Sequence, residues 1–186
     1  MTTNKSLSRR ALLGGVAVTG SALALEACGD DAPPVTANPD IGPLNNLLAA
    51  EYGAIVAYNA GIPILEMPPV GDPLAANGPA LSVIATAWRA QHREHAAQLV
   101  TAITAIGGTP VVESTITFTA PTGFTPSVRN VMVLACNAEK AAAIAYNQSV
   151  KTMSSASSRY IAGNIEGAET QHFLSLIHIS EPTRPY

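Results

Sequence analysis

Four apolar segments with helical spacing constrain the fold of this chain more than any other feature of its sequence. In each segment apolar residues recur every three or four positions, and clusters of Gly, Pro or Ser separate the segments. The spacing predicts helices over residues 44–61, 80–106 and 126–153, and a fourth that begins near Ser158. The connection at residues 109–126 alternates Thr with apolar residues and is expected to be extended. We therefore expect an all-α four-helix bundle with a long crossover between helices 2 and 3; an irregular helical domain is the alternative.

Each predicted helix places a carboxylate or an imidazole where its apolar stripe should continue. The side chains concerned are Glu51, His92, His95, Glu139, Glu169 and His172. Glu169 and His172 are three positions apart, so they project side by side from a helix. Burying an uncompensated carboxylate is strongly unfavourable, and a metal cation compensates it directly. We predict that the six side chains converge on a metal site; solvated polar faces are the alternative.

The charge of this donor set agrees with metal binding. Three carboxylates and three neutral imidazoles carry three negative charges, which one or two divalent or trivalent ions would balance. Glu166 lies about one turn before Glu169 and is either an additional ligand or a surface residue. Tyr52, Tyr58 and Tyr146 lie near the inner faces, where they would pack in the core or bond a ligand carboxylate through the hydroxyl group.

Four motifs in order carry a family resemblance. They read "AAEYGAIVAYNAG" with Glu51, "AQHREHAAQLVTAITAIGGTPV", "CNAEKAAAIAY" with Glu139, and "IEGAETQHF" with a Glu-x-x-His pair. Together they resemble the four helices of the ferritin-like superfamily, in particular small bacterial proteins related to rubrerythrin. The resemblance spans nearly all of residues 44–173. It implies a di-iron site that oxidises Fe(II) with oxygen or peroxide, or that protects against oxidative stress.

One position departs from the family pattern. The second helix should also read Glu-x-x-His, but here it reads His92-x-x-His95. A carboxylate spans two irons, whereas an imidazole binds one metal per nitrogen. We therefore expect one or two iron ions, with Mn, Zn or Cu, or a mononuclear or asymmetric site, as alternatives. A structural or binding lipoprotein of the cell envelope with a degenerate, metal-free site is the competing function.

Residues 1–28 have the features of an export signal. Arg9 and Arg10 precede an apolar run at residues 11–25 that is short for a membrane span, a pattern similar to a twin-arginine signal. "LEAC" resembles a lipoprotein cleavage box ending at Cys28, although Glu26 departs from the usual small residue. We expect an exported, periplasmic or cell-surface protein, anchored to the membrane by lipid on Cys28; an uncleaved N-terminal anchor is the alternative.

The remaining boundaries follow from composition. Residues 29–43 are rich in Pro and Asp and predict a flexible linker, and residues 44–173 form the expected bundle. Residues 174–186, "LSLIHISEPTRPY", resemble the translation of a sequencing adapter, so we expect a non-native tail and give His178 no functional role.

Several classes of function find no support in the sequence. Residues 44–173 contain six basic and eight acidic side chains, a near balance that gives no nucleic-acid footprint. Two cysteines make no disulfide framework, and Cys136 is expected to be a buried thiol. No Ser or Cys lies in a recognisable nucleophile turn, which argues against a hydrolase. Metal ions and the membrane are the expected partners, and a homodimer is compatible with the fold.

Overall fold

The structure, a computed structural model, describes residues 37–180 and consists of long helices. They are α1 (Ile41–Glu66), α2 (Gly78–Ala105), α3 (Val128–Thr152) and α4 (Ala156–Ser180). No strand occurs within residues 37–180, and the predicted all-α bundle is confirmed. The export segment, the linker up to Thr36 and the last six residues of the tail lie outside the described residues.

The described residues fall into two compact units. The larger, at residues 37–118 and 125–180, contains all four helices. The smaller includes residues 119–124, where the Phe124 N–H donates to the Pro121 carbonyl in a turn closed by Gly123 at φ +81°. The predicted metal residues therefore all belong to the larger unit.

The four helices pack as two pairs. α1 lies along α2 and α3 along α4, and the pairs meet mainly through α1 against α3 and α2 against α4. Two apolar clusters form the core. The first includes Leu44, Leu48, Ile55, Leu99, Ile103, Tyr146 and Ile165. The second includes Ile62, Leu65, Leu81, Ala85, Val128 and Met132. On α2 and α3 the predicted metal residues lie between these clusters along the helix, and on α4 they follow the first cluster.

Close contacts at the helix ends show that α1 and α2 are antiparallel. A Cβ on Gly78, the first residue of α2, would lie 2.3 Å from the carbonyl oxygen of Leu65, near the end of α1. Beyond the end of α2, Gly108 lies against Ile41, the first residue of α1. Only glycine fits at Gly78, because a side chain there would collide with backbone.

The connection between α2 and α3 begins beside the first turns of α1 and ends beside the loop between α1 and α2. It leaves α2 at Gly107, which has φ +79°, and Asn45 of α1 holds its first residues through the Thr109 carbonyl and the Val111 N–H. At its far end the Val128 N–H donates to Asp72 in the loop between α1 and α2. The expected crossover is therefore present, although a short 3₁₀ turn at Glu113–Thr115 interrupts its extended backbone.

The predicted end of the first helix was wrong. Proline was expected to stop it at residue 61, but α1 continues to Glu66 with Pro63 inside. An interior proline costs roughly 3 kcal/mol. Ile62 and Leu65 beside it are 6% and 3% exposed, and burying two such side chains contributes about 1.5–3 kcal/mol each. Packing therefore outweighs the lost helical hydrogen bond.

α1 is apolar as well as long. Among residues 37–180 it is the one helix that could cross a membrane by length and composition. Its buried leucine and isoleucine side chains belong to the two core clusters, and it also carries the buried Glu51. We therefore assign α1 to the bundle.

The boundary between linker and bundle lies earlier than expected. Residues 29–43 were predicted to be flexible, but α1 begins at Ile41 and Asp40 is buried. The Asp40 carboxylate accepts hydrogen bonds from the backbone N–H groups of Ser154 (2.6 Å) and Ser155 (2.9 Å), in the turn between α3 and α4. Burial alone would raise the pKa of Asp40, but these hydrogen bonds hold it well below its usual range. Asp40 therefore joins the start of α1 to the start of α4.

The last helix also extends past the predicted end of the bundle. α4 continues through Ser180, beyond residue 173, and Leu176 is buried. Leu176 and Ile179 line a small apolar cavity together with Trp88 and Met132. The adapter origin of residues 174–186 stays a prediction.

Candidate metal centre

All four helices contribute to one buried polar cluster. Its members are 0–8% exposed and are the six residues singled out by the interrupted stripes: Glu51, His92, His95, Glu139, Glu169 and His172. α1 and α3 supply one glutamate each, α2 supplies two histidines, and α4 supplies a glutamate and a histidine. The structure therefore brings together every residue of the predicted site; their role as metal ligands stays a prediction.

Apolar residues on the same helix faces direct these side chains inward. Leu48 and Ile55 lie one turn on either side of Glu51, and Leu99 follows His95 by four positions. Ile165 precedes Glu169 by four positions. Each of these neighbours is almost fully buried, so the helix rotation that buries them also buries the polar group between them.

Four of the side chains form a first donor set, consisting of Glu51, His92, His95 and Glu169, with one ligand atom from each within 4.8 Å of the others. His92 Nδ1 lies 2.7 Å from Glu51 Oε2, and His95 Nδ1 lies 3.0 Å from Glu169 Oε1. His95 Nδ1 and Glu51 Oε2 are 3.6 Å apart, as are His92 Nδ1 and Glu169 Oε1. The set is compact and contains two nitrogen and two oxygen donors.

A second donor set shares two residues with the first. It consists of His92, Glu139, Glu169 and His172. His92 Nε2 lies 3.3 Å from Glu139 Oε1, and His172 Nδ1 lies 3.4 Å from Glu139 Oε2. His172 Nδ1 is also 3.9 Å from Glu169 Oε2. The two sets thus have His92 and Glu169 in common.

The spacing of the donors fits metal coordination. Donors bound to one ion at about 2.0–2.2 Å, at angles of roughly 90–110°, lie about 3.0–3.5 Å apart. Most of the distances within each set are close to this range. Neither carboxylate oxygen of Glu169 has a hydrogen-bond partner within residues 37–180, nor has His95 Nδ1. Buried polar atoms are rarely left without a partner, and a cation between them would satisfy all three.

The electrostatics of the cluster show how far its charges depend on one another. Burial raises the pKa of Glu169 to about 7, and the neighbouring Glu51 adds to this effect, although the His95 imidazole 3.0 Å away opposes it. Burial also opposes ionisation of Glu51 and Glu139, but hydrogen bonds from the histidines outweigh it and lower both pKa values. Glu169 is therefore the carboxylate whose charge the protein itself compensates least.

The two α2 histidines are affected in the opposite sense. Burial by itself lowers the pKa of His92, but hydrogen bonds to Glu139 and Glu51 raise it to about 10. His95 behaves similarly, with burial opposed by Glu169 and Glu51, and its pKa rises to about 9. Without a bound metal ion, both rings are therefore positively charged imidazolium groups at neutral pH.

Hydroxyl and amide groups hold several of these side chains in place. The Tyr146 hydroxyl donates to Glu51 Oε1 at 2.5 Å, and the Tyr58 hydroxyl donates to Glu139 Oε1. Burial raises the pKa of both tyrosines, and the carboxylates raise it further, so both hydroxyls stay protonated. His172 Nε2 lies 2.5 Å from Gln91 Oε1, which accepts its proton, so Nδ1 is the ring nitrogen that faces the cluster.

Other residues considered from the sequence lie outside the donor sets. Glu166 is half-buried and accepts a hydrogen bond from Thr170, so it is not placed as an additional ligand. Tyr52 packs against the first core cluster. Cys136, expected to be a buried thiol, is half-buried, because its part of α3 is only partly covered.

Three supporting residues, two at the cluster and one that joins helix ends, were not predicted from the sequence. The Trp88 ring packs at a tilt against the ring of His172, with centroids 4.8 Å apart. Gln91 and Asp40 were not singled out. The Asp before an apolar run in "NPDIGP" is a recognisable start of a helix and could have indicated Asp40; for Gln91, its place beside the predicted ligand His92 was the available signal.

Comparison with known proteins decides the family. The sequence model of the ferritin-like domain family matches residues 39–178 of this chain. The chain belongs to the ferritin-like domain family. No curated protein matches this ferritin-like chain by sequence.

Solved structures agree with this ferritin-like fold. A ferritin-like, diiron-carboxylate protein from Bacillus anthracis is 23% identical, with a TM-score of 0.60 over 76% of this chain and 94% of that one. A bacterioferritin from Rhodobacter capsulatus is 18% identical, with a TM-score of 0.62 over 76% and 83%. A conserved hypothetical protein from Mycobacterium tuberculosis is 18% identical, with a TM-score of 0.60 over 79% and 93%. At these identities the likeness establishes the fold.

Proposed function

We propose that this ferritin-like domain binds two metal ions, most simply iron, at the two donor sets and reacts them with oxygen or peroxide. The observation that carries the proposal is Glu169, a fully buried carboxylate whose two oxygens lack hydrogen-bond partners within residues 37–180 and face different donor sets. A fold-level likeness to a diiron-carboxylate protein supports the choice of iron. Carboxylate and imidazole donors also suit Mn and Zn.

Five of the six side chains have a defined part in this proposal. Glu51 and His95 would hold one ion, Glu139 and His172 the other, and Glu169 would lie between them. Bound iron would supply one-electron chemistry with oxygen or peroxide. The apolar clusters on either side keep bulk water away from the donors.

Metal analysis of the full chain tests the site. We expect protein purified without chelator to carry metal, and a Glu139→Ala/His172→Ala variant to lose most of it. Glu166→Ala is a matched control, because this carboxylate lies on α4 outside both donor sets. Equal metal in the wild type and the double variant would reject the site.

Oxidation of Fe(II) tests the activity. Addition of Fe(II) in air should produce the near-ultraviolet absorption of ferric iron in the wild type and in Glu166→Ala, but only slowly in the double variant. An unchanged absorption, together with an unchanged melting temperature on addition of Fe, Mn or Zn, would instead favour a metal-free binding or structural role.

We further propose that the protein is exported and anchored by lipid at Cys28. Support comes from Arg9 and Arg10 before an apolar run and from the "LEAC" sequence. Expression in a bacterium with a twin-arginine pathway should place the wild type in the membrane fraction, and Arg9→Lys/Arg10→Lys should retain it in the cytoplasm. Cys28→Ser should abolish lipid labelling. Lipid labelling that persists in Cys28→Ser would contradict the anchor.

A further inference from the structure

His92 lies between the two donor sets and faces both. Its Nδ1 is 2.7 Å from Glu51 Oε2 in the first set, and its Nε2 is 3.3 Å from Glu139 Oε1 in the second. The side chain is 1% exposed, so neither nitrogen is directed at solvent. The other two histidines each belong to one set only, His95 to the first and His172 to the second.

The chemistry of imidazole then fixes what His92 can do in such a position. Each ring nitrogen offers one lone pair in the plane of the ring, so one ring binds at most two ions, on opposite sides. With metal–nitrogen bonds of about 2.0–2.1 Å, two ions bridged by one ring lie about 6 Å apart. Two-metal sites with closely spaced ions have separations of about 3.5–4 Å.

Resting on the proposed metal-binding function, we infer that the centre is a histidine-bridged pair, in which His92 Nδ1 binds one divalent ion and Nε2 binds the other. The protons on these nitrogens leave to the solvent as the two metal–nitrogen bonds form, and no electron is transferred. The ligand class is two divalent ions that accept imidazole nitrogen readily, such as Zn(II).

The arrangement of Glu169 is compatible with this spacing. Its Oε1 lies 3.0 Å from His95 Nδ1, and its Oε2 lies 3.9 Å from His172 Nδ1. The two oxygens therefore face the single-set histidine of each donor set. A carboxylate that offers a different oxygen to each ion does not require the ions to share one oxygen atom.

The separation of the ions is the direct test. Crystals of the full chain loaded with Zn(II) should show two anomalous peaks about 6 Å apart, one on each side of the His92 ring. A single peak, or a pair less than 4 Å apart, would overturn the histidine bridge and leave the proposed metal site standing. Absence of any bound Zn(II), Mn(II) or Fe(II) would overturn both.

Stoichiometry in solution gives an independent test with matched variants. His95→Ala and His172→Ala should each lower the Zn(II) bound from two ions per chain to one, since each removes a ligand of one set. His92→Ala should lower the affinity for both Zn(II) ions at least tenfold. Loss of a single ion in His92→Ala, with the other bound as in the wild type, would contradict the bridge.

His92→Glu distinguishes the bridge from a merely structural role. This variant restores the carboxylate expected at this position in the family, and it should shorten the separation of the ions to less than 4 Å. A separation unchanged from the wild type would show that His92 does not set it. Circular dichroism of each metal-free variant checks the fold. If a variant does not fold, the distance between the two ions in the wild-type crystals decides the inference.

Discussion

At the scale of single residues, Glu169 combines complete burial with a lack of hydrogen-bond partners among the described residues. Such a carboxylate resists ionisation, and burial together with Glu51 raises its pKa to about 7. The unpaired, buried charge that makes Glu169 a good metal ligand therefore also destabilises the folded protein when no metal is bound.

Glu169→Gln should consequently raise the stability of the metal-free protein and lower its affinity for metal. In chelator at pH 8, where Glu169 is mostly ionised, we expect the variant to be about 1–3 kcal/mol more stable than the wild type. The pKa of Glu169 is raised in the folded state, so the cost of burying its charge disappears once the pH is below the unfolded-state pKa of about 4.5. The stability gained by Glu169→Gln should therefore decrease as the pH falls from 7 to about 4.5. Metal affinity should fall at least tenfold. Urea denaturation and metal titration measure the two effects.

The matched control for this substitution is Glu166→Gln on the same helix, which should change neither quantity appreciably. A destabilised Glu169→Gln in chelator at pH 8 would contradict our account of the buried charge.

Gln91 gives a second prediction for a single residue. Its Oε1 holds the proton on His172 Nε2, so Gln91→Leu should let the ring change tautomer or rotate and should weaken metal binding about 10–100-fold. Gln91→Glu keeps an acceptor and should retain most of the affinity. Gln98→Leu, an exposed residue on the same helix, is the control. Isothermal titration with Zn(II) measures all four proteins, and equal affinity in Gln91→Leu would rule out the positioning role.

The sequence predicted the ligand-type residues better than their supporting contacts, and the reason is physical. Glu51 and Glu139 interrupt apolar stripes, and such an interruption can be recognised from periodicity alone. The contact of Gln91 with His172 joins two helices and depends on their relative rotation, which no single helix's pattern contains. The pattern therefore shows which residues face inward, and the packing determines which of them meet.

At the scale of elements, the helices were predictable and several of their ends were not. Helix propensity predicts that α1 ends before Pro63, but burial of Ile62 and Leu65 stabilises the helix through this proline. The N-cap Ser127 was recognisable because its effect is local: its side chain accepts the Asn130 N–H at 3.1 Å. Asp40 was missed because its partners lie 114 and 115 positions away in the sequence.

Asp40→Asn should show how strongly this one carboxylate connects α1 to the α3–α4 turn. We expect a loss of about 1–3 kcal/mol in the free energy of unfolding at pH 7, because a buried acceptor of two backbone N–H groups loses its charge. The folded-state pKa of Asp40 is lowered, so its contribution is complete above the unfolded pKa near 4 and is lost as pH falls through the folded-state value.

The difference between the wild type and Asp40→Asn should therefore shrink progressively below pH 4, which urea denaturation at several pH values would measure. Asp72→Asn is the matched control, since this half-buried carboxylate also accepts a backbone N–H at the start of a helix. It should cost less than Asp40→Asn. A pH-independent difference for Asp40→Asn would show that its charge is not what stabilises the turn.

At the scale of the whole molecule, the metal donors are the point at which all four helices meet. Every helix carries at least one of them, so an ion bound there links elements that otherwise pack mainly in pairs. Binding to the folded chain alone should raise its stability according to concentration and affinity. The affinity in turn depends on the protons that the cluster holds without metal.

Those protons give the affinity a definite pH dependence. Despite burial, which lowers it, carboxylate neighbours raise the pKa of His92 to about 10 and that of His95 to about 9, so an ion that binds both at neutral pH displaces up to two protons. The Zn(II) affinity of the full chain should therefore rise about 10–100-fold per pH unit from pH 6 to pH 8. In His95→Ala one displaced proton is removed, so the slope should be shallower. An affinity independent of pH would mean that the imidazoles are neutral before the ions bind. In that case the ion pairs of His92 with Glu51 and Glu139 could not compensate the carboxylate charges of the metal-free cluster.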